Sequence, residues 1–249
     1  MTKITICYQL LHPVFALLVL IPLTVTTSPT QVGPESYQES NYEGFESIFD
    51  GTLREWDGDP SLWRAQGNTI IGQTHPDQPV RSNTFLIWRG GTVEDFDLKI
   101  DFRMNSTNSG LQYRSVELPK EGQWVLKGYQ ADFDFSNTYT GALYEERGPR
   151  ALITKPGDMV QIQKNQRPRI VGQLRRASAI KKNIRVNGWN NMHVIARANV
   201  LIHLINGYVT SVVVDDDTPN QLGKGLIGLQ IHTGDPMKVE FRNLYLRNY

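Results

Sequence analysis

The sequence predicts an all-β sandwich, and three observations carry that reading. Over residues 96–103 apolar and charged side chains alternate strictly, the period of an antiparallel strand with one face in a core. Residues 201–205 and 208–214 flank Asn206-Gly207, a pair suited to a two-residue hairpin whose central positions both need positive φ. No segment sustains a long helical period.

Taken in order, the chain opens with Lys3 as the only charge before the apolar residues 14–21. Pro22 and the small residues Thr26, Thr27 and Ser28 close that stretch. Residues 1–28 read as a signal peptide, which places the protein in the periplasm or outside the cell. The apolar run is short for a membrane span and is interrupted by His12, Pro13 and Pro22, so a retained N-terminal anchor is the lesser alternative. Cys7, the only cysteine, lies in this segment, which excludes thiol nucleophiles, disulfides and cysteine metal sites from the mature domain. Residues 29–43 are polar, with Pro29, Gly33 and Pro34, and read as a flexible linker. Residues 44–249 then form one domain, as all-β chains of this size usually do. Lys and Arg number 26 against 25 Asp and Glu, so composition gives no reason to expect a nucleic-acid or membrane-surface partner.

Near the end, Met237, Val239 and Phe241 alternate with Lys238, Glu240 and Arg242. Leu244 and Leu246 then change phase, which predicts a bulge near Asn243.

Three strands carry polar residues where surface strands usually carry Lys, Glu and Thr. Gln112 and Arg114 alternate with Leu111 and Tyr113; Gln130, Asp132 and Asp134 alternate with Ala131 and Phe133; Gln230 and His232 flank Ile231. Each set taken alone fits a solvated face, and His232 alone fits a structural histidine. Together, Gln, Asp, His and Arg suit a sugar-binding groove, because sugars need planar, multidentate donors and acceptors. The stretch 139–148 adds Tyr144, Glu145, Glu146 and Arg147 beside glycines, read either as a surface loop or as a loop closing over the groove.

At these segments the chain resembles the 3-keto-disaccharide hydrolase family, formerly a domain of unknown function. The similar stretches include Gly44-Phe45-Glu46-Ser47-Ile48-Phe49-Asp50-Gly51, Asn83-Thr84-Phe85-Leu86-Ile87-Trp88, Asn108-Ser109-Gly110 and Gly128-Tyr129-Gln130-Ala131-Asp132. Tyr139-Thr140-Gly141, Leu143-Tyr144-Glu145 and Gly228-Leu229-Gln230-Ile231-His232 continue the match, which keeps its order from about residue 45 to 246. The resemblance implies a concanavalin A-like jelly-roll β-sandwich of two antiparallel sheets, bacterial origin and a carbohydrate substrate oxidised at C3. The ketone acidifies the C2 proton, so a base can remove it and the C1 oxygen departs by β-elimination, followed by hydration; no glycosidase carboxylate pair is needed. On this reading His232 is the base. Arg114 and Gln130 polarise the ketone, and Asp132 and Glu145 supply an acid, an orienting group or oxygen ligands for a divalent cation. Gln230, Gln112, Asn108 and Tyr144 complete the substrate contacts.

Two other readings remain. The fold serves carbohydrate-binding modules as readily as enzymes, with Trp88, Trp124 or Tyr144 as stacking platforms. An ordinary glucanase would need a row of acids on one strand face; Lys99 breaks the row after Asp95 and Asp97, and Ser136 breaks it after Asp132 and Asp134. Finally, Lys164, Arg167, Arg169, Arg175, Arg176, Lys181, Lys182 and Arg185 occur without an intervening Asp or Glu. The segment fits poorly to the family pattern and reads as a solvated basic loop or as an attractor of anionic glycans.

Overall fold

The structure, a computed structural model, describes residues 42–249. The expected signal peptide and most of the expected linker lie outside the described residues. Seven short and medium strands open the domain: β1 (Glu46–Ser47), β2 (Trp56–Asp57), β3 (Trp63–Gln66), β4 (Thr69–Gln73), β5 (Thr84–Trp88), β6 (Phe96–Met104) and β7 (Asn108–Glu117). β8 (Leu126–Asp134), β9 (Leu143–Glu146), β10 (Asp158–Ile162) and β11 (Arg169–Gln173) follow, then the single-turn helix α1 (Ala177–Lys181). β12 (Asn190–Arg197), β13 (Val200–Ile205), β14 (Tyr208–Asp215), β15 (Leu226–Ile231) and β16 (Lys238–Asn248) complete the domain.

They form two sheets. One runs β11-β10-β14-β13-β12-β6-β16-β4-β3, with β1 also paired to β16; the other runs β2-β5-β15-β7-β8-β9. The pairs are antiparallel except β10 with β14, which is parallel, a local departure from the expected pattern. β10 returns from the edge of the second sheet and must cross over to reach its partner.

The local predictions rest on backbone geometry that the structure displays. Asn206 and Gly207 both have positive φ, 50° and 82°, and Ile205 opposes Tyr208 across the turn. The β16–β6 register shifts between Arg242 and Tyr245, with Asn243 at φ 52°, which restores Leu244 and Leu246 to the core. The charged face of β6 is covered rather than solvated. Asp97 receives Arg247 at 2.6 Å and Arg197 at 3.2 Å, and Lys99 lies 4.5 Å from the centre of the Phe45 ring.

The core fills the space between the sheets. Phe102 of the first sheet stacks on Phe133 of the second, with ring centres 4.1 Å apart. Further along, polar ties replace apolar contact. Burial drives the His203 pKa down to about 4, so the ring is neutral. Its Nδ1 faces the Ala142 carbonyl oxygen at 3.1 Å and carries the hydrogen, leaving Nε2 to accept from the Tyr113 hydroxyl at 2.9 Å. The Tyr129 hydroxyl donates to Asp215 at 2.5 Å.

Arg150 is the hub of this buried network. Its guanidinium bonds Glu145 at 2.6 Å and Asp215 at 2.7 Å, tying β9 to the end of β14 with all three side chains almost fully enclosed. Removing one partner of such a set leaves uncompensated charge in a dry interior. Arg150→Met is therefore expected to lower stability by about 3–5 kcal/mol, measured by urea unfolding at neutral pH; a loss below about 1 kcal/mol would mean the network is not structurally necessary.

Candidate functional site

Period-two geometry gives the second sheet two unlike faces. On β7 and β8 the inner face carries Leu111, Tyr113, Tyr129, Ala131 and Phe133, all in the core. The outer face must then carry Asn108, Gly110, Gln112, Gly128, Gln130, Asp132 and Asp134. Register aligns them: Gln112 opposes Gln130, Gly110 opposes Asp132, and on β9 Tyr144 opposes Gln130 and Glu146 opposes Gly128. On the other side of β7, Gly228 opposes Gln112, which puts Gln230 on the same face.

The glutamines form a hydrogen-bonded row. Ser115 Oγ donates to Gln112 Oε1 at 2.5 Å, and Gln112 Nε2 donates to Gln130 Oε1 at 3.0 Å. Gln130 Nε2 in turn donates to Asp132 Oδ1 at 2.6 Å and reaches Gln230 Oε1 at 3.4 Å. Gly110 makes room for this crossing, since a Cβ there would lie 2.5 Å from Gln130 Cδ. The row is not a solvated face: Gln112 and Gln230 have no exposure, and Gln130 retains 2%. Among the described residues Gln230 Nε2 is buried with no hydrogen-bond partner.

A second group closes the row at the β9 and β15 ends. Asn83, just before β5, accepts from Thr233 N at 3.0 Å, while its Nδ2 donates to both oxygens of Glu146 at 3.3 Å. The neighbouring His232 is half-buried, and its Nδ1 donates to the Thr233 carbonyl oxygen at 2.5 Å. That assignment leaves the Nε2 lone pair available as a base. Burial, reinforced by Asp134 and Glu146, raises the Asp132 pKa to about 7 against the pull of the Gln130 hydrogen bond. Burial also raises the Glu146 pKa, while Asn83, Arg147 and His232 pull it down. Both carboxyls on this face are thus pushed toward the protonated form by burial.

The structure brings together six of the residues read from sequence: Gln112, Gln130, Asp132, Gln230, His232 and Tyr144. Asn108 stands at the far end of the row, opposite Asp134. Asp134 itself accepts from the backbone of Tyr139 at 2.7 Å and Thr140 at 3.0 Å, shaping that loop.

Two expectations need correction. Arg114 leaves the row because β7 bulges between Tyr113 and Val116 and Arg114 takes φ 46°. Its buried guanidinium instead donates to the carbonyl oxygens of Glu94 and Ala198 at 2.8 and 2.7 Å and meets Asp95 at 3.2 Å. Glu145 points inward to Arg150, since strand alternation cannot place it on the same face as Tyr144. Glu146 holds the position expected for Glu145. Alternation from Tyr144 is the signal for Glu146; Asn83 opens a family-like stretch, but no strand-face pattern groups it with the site. Trp88 lies in the core, and Trp124 donates from Nε1 to Asp57 at 2.7 Å. Among the described residues, no three His, Cys, Asp or Glu side chains converge to hold a metal ion, so the divalent-cation reading finds no ligand set there.

The raised carboxyl has a thermodynamic signature. With its folded pKa near 7 against an ordinary 3.8, Asp132 contributes fully to stability below about pH 4, and that contribution is lost as pH rises through about 7. Asp132→Asn should remove a decline of up to about 1.4 kcal/mol per pH unit across that window, read from urea midpoints at pH 4 to 8. Parallel pH profiles for variant and wild type would refute the assignment. Gly110→Ala should displace Gln130 and break the row, seen as loss of ligand affinity with the fold retained by circular dichroism.

Comparison with known proteins agrees with this architecture. A structure from Parabacteroides distasonis, provisionally assigned as a glycosyl hydrolase, is 16% identical with a TM-score of 0.57, covering 82% of this chain and 99% of that one. A second from the same organism, with the same provisional assignment, is 17% identical with a TM-score of 0.53, covering 88% and 98%. No curated protein matches the chain. The model of the 3-keto-alpha-glucoside-1,2-lyase-like domain matches residues 44–247, from β1 through all but the last residue of β16. Matched over its whole described sandwich, including every strand of the buried glutamine row, the chain belongs to that family and folds as its jelly roll.

Proposed function

We propose that this domain acts on carbohydrate and cleaves glycosides whose sugar bears a ketone at C3. The observation that carries the reading is a pair of carboxyls raised by burial, Asp132 and Glu146, on the same amide-lined face as His232. His232 Nε2 takes the C2 proton, and the C2–H electron pair forms an enolate on the C3 oxygen. Gln230 Nε2, which has no partner among the described residues, donates to that oxygen as negative charge builds, the role the sequence assigns to Arg114 with Gln130. The enolate then collapses: C3=O reforms, C1=C2 forms, and the C1–O bond breaks. Asp132, protonated near neutrality, supplies the proton taken by the leaving oxygen. Addition of water across C1=C2, with oxygen to C1 and the proton to C2, completes net hydrolysis without a redox partner. Asn83 is a positioning residue, linking the backbone beside His232 to Glu146.

Product analysis with a 3-keto-disaccharide and its unoxidised parent tests the reaction. Cleavage of the keto form alone, with C2 deuterium exchange, is expected; binding without cleavage of either would make the domain a carbohydrate-binding module. His232→Ala and Asp132→Asn should each lower kcat by about 10²–10⁴-fold. Activity should fall above about pH 7 as Asp132 loses its proton. Wild-type turnover by His232→Ala would remove the imidazole from the base role.

A further inference from the structure

Away from the glutamine row, a cavity of about 780 Å³ opens where the segment after β9 faces β10 and the edge strand β11. This lies within the range of roughly 300–1,000 Å³ typical of small-ligand sites. Leu152, Ile153, Val160 and Ile170 give it an apolar lining, and Ile170 remains 61% exposed. Amide side chains of Asn165, Gln166 and Asn220 border it, with Lys155 and Arg167 exposed at the rim. Three other charges line it. Arg150 is committed to Glu145 and Asp215, and Asp217 accepts from Asn165 N and Asn220 Nδ2 at 2.8 Å each. Asp158 on β10 is half-buried.

The front of the basic segment, residues 165–168 with Ile170, borders this cavity, whereas Arg185 lines a separate cleft beside Phe102 and Asp134. None of its eight cations makes an ion pair among the described residues, whereas Arg89, Arg103, Arg147, Arg150 and Arg247 elsewhere are all paired. Nor does the segment hang free. Leu174 N donates to Gly157 O at 2.7 Å, Lys181 Nζ donates to Ser136 O at 2.6 Å, and Arg175 lies 5.1 Å from the centre of the Tyr208 ring. The backbone that displays these charges is fixed before any ligand arrives, which lowers the ordering cost of binding.

We propose that this cavity is a second glycan site, separate from the glutamine row, and that it takes acidic sugar units of the uronate type. Its parts match the three chemistries of such a sugar. The apolar lining receives the C–H face, the Asn and Gln amides exchange hydrogen bonds with hydroxyls, and Arg167 and Lys155 meet the carboxylate. Lys155 and Arg167, neither in an ion pair among the described residues, draw a polyanionic chain toward the cavity. The choice of a glycan over other polyanions rests on the carbohydrate reading of the domain.

The test is calorimetric titration of the intact protein with an oligogalacturonate, a neutral gluco-oligosaccharide of equal length and a single-stranded DNA oligonucleotide of matched charge. The acidic sugar should bind, weaken as salt is raised, and lose at least tenfold in affinity in Lys155→Glu/Arg167→Glu while remaining unchanged in Asp132→Asn. The milder Lys155→Gln/Arg167→Gln should lose affinity in the same direction, which guards against a folding defect in the charge reversal. Undiminished binding by both double variants, equal binding of the neutral sugar, or equal binding of DNA would each overturn the proposal. The double variants should cleave a 3-keto-disaccharide as wild type does. Failure at the cavity thus leaves the proposed reaction standing, and absence of wild-type turnover leaves the cavity standing.

Discussion

The constraint on which the rest of the structure depends is the commitment of one face of the second sheet to the core. Leu111, Tyr113, Tyr129, Ala131 and Phe133 must meet the first sheet, and the Phe102–Phe133 stack fixes the two sheets against one another. A slip of one residue would exchange the faces of a whole strand, so the register is strongly specified. Everything polar on β7, β8 and β15 is thereby aligned on the opposite face, where cross-strand pairing converts three separate strand patterns into one row.

That row is dry, and dryness governs its chemistry. An amide network with little access to water is rigid because each lost hydrogen bond would leave a buried polar group unsatisfied. Within it, Gln112 donates to Gln130, Gln130 donates to Asp132, and among the described residues Gln230 Nε2 has no partner. The same enclosure raises the Asp132 carboxyl toward neutrality, while Asn83, Arg147 and His232 counter the effect at Glu146. The neighbouring interior handles charge differently. Arg150 pairs directly with Glu145 and Asp215, so adjacent residues of β9 serve opposite ends: Glu145 locks the sheets together and Glu146 faces the site. The proposed reaction and the stability of the sandwich therefore share one short strand.

The basic segment begins at the edge of the other sheet, where β11 pairs with β10, and continues through α1. Its backbone contacts, cations without ion pairs among the described residues, and the cavity beside its front part set it apart from the glutamine row. If both proposals hold, a domain with carboxyls and amides on one face and cations near the edge of the other sheet holds an acidic chain at one place while working on a sugar at another.

The sequence by itself determined the strand periods, the Asn206-Gly207 hairpin and the bulge at Asn243, because each depends on local backbone geometry and nearest-neighbour alternation. It also supplied most of the polar row, since residues two apart on a strand share a face wherever that strand lies. Arg114 was misplaced because a bulge within β7 reverses that alternation, and bulges depend on the partner strands. Glu145 was misplaced for a different reason: its identity resembled the family pattern, but Tyr144 and Glu145 cannot share a face of β9. Tertiary structure alone decided that Asn83, more than sixty residues from Glu146 in the chain, would hold it by hydrogen bonds. It alone decided that the row would be buried enough to move a carboxyl pKa, because desolvation is set by all the atoms around a group and no short stretch of sequence contains them.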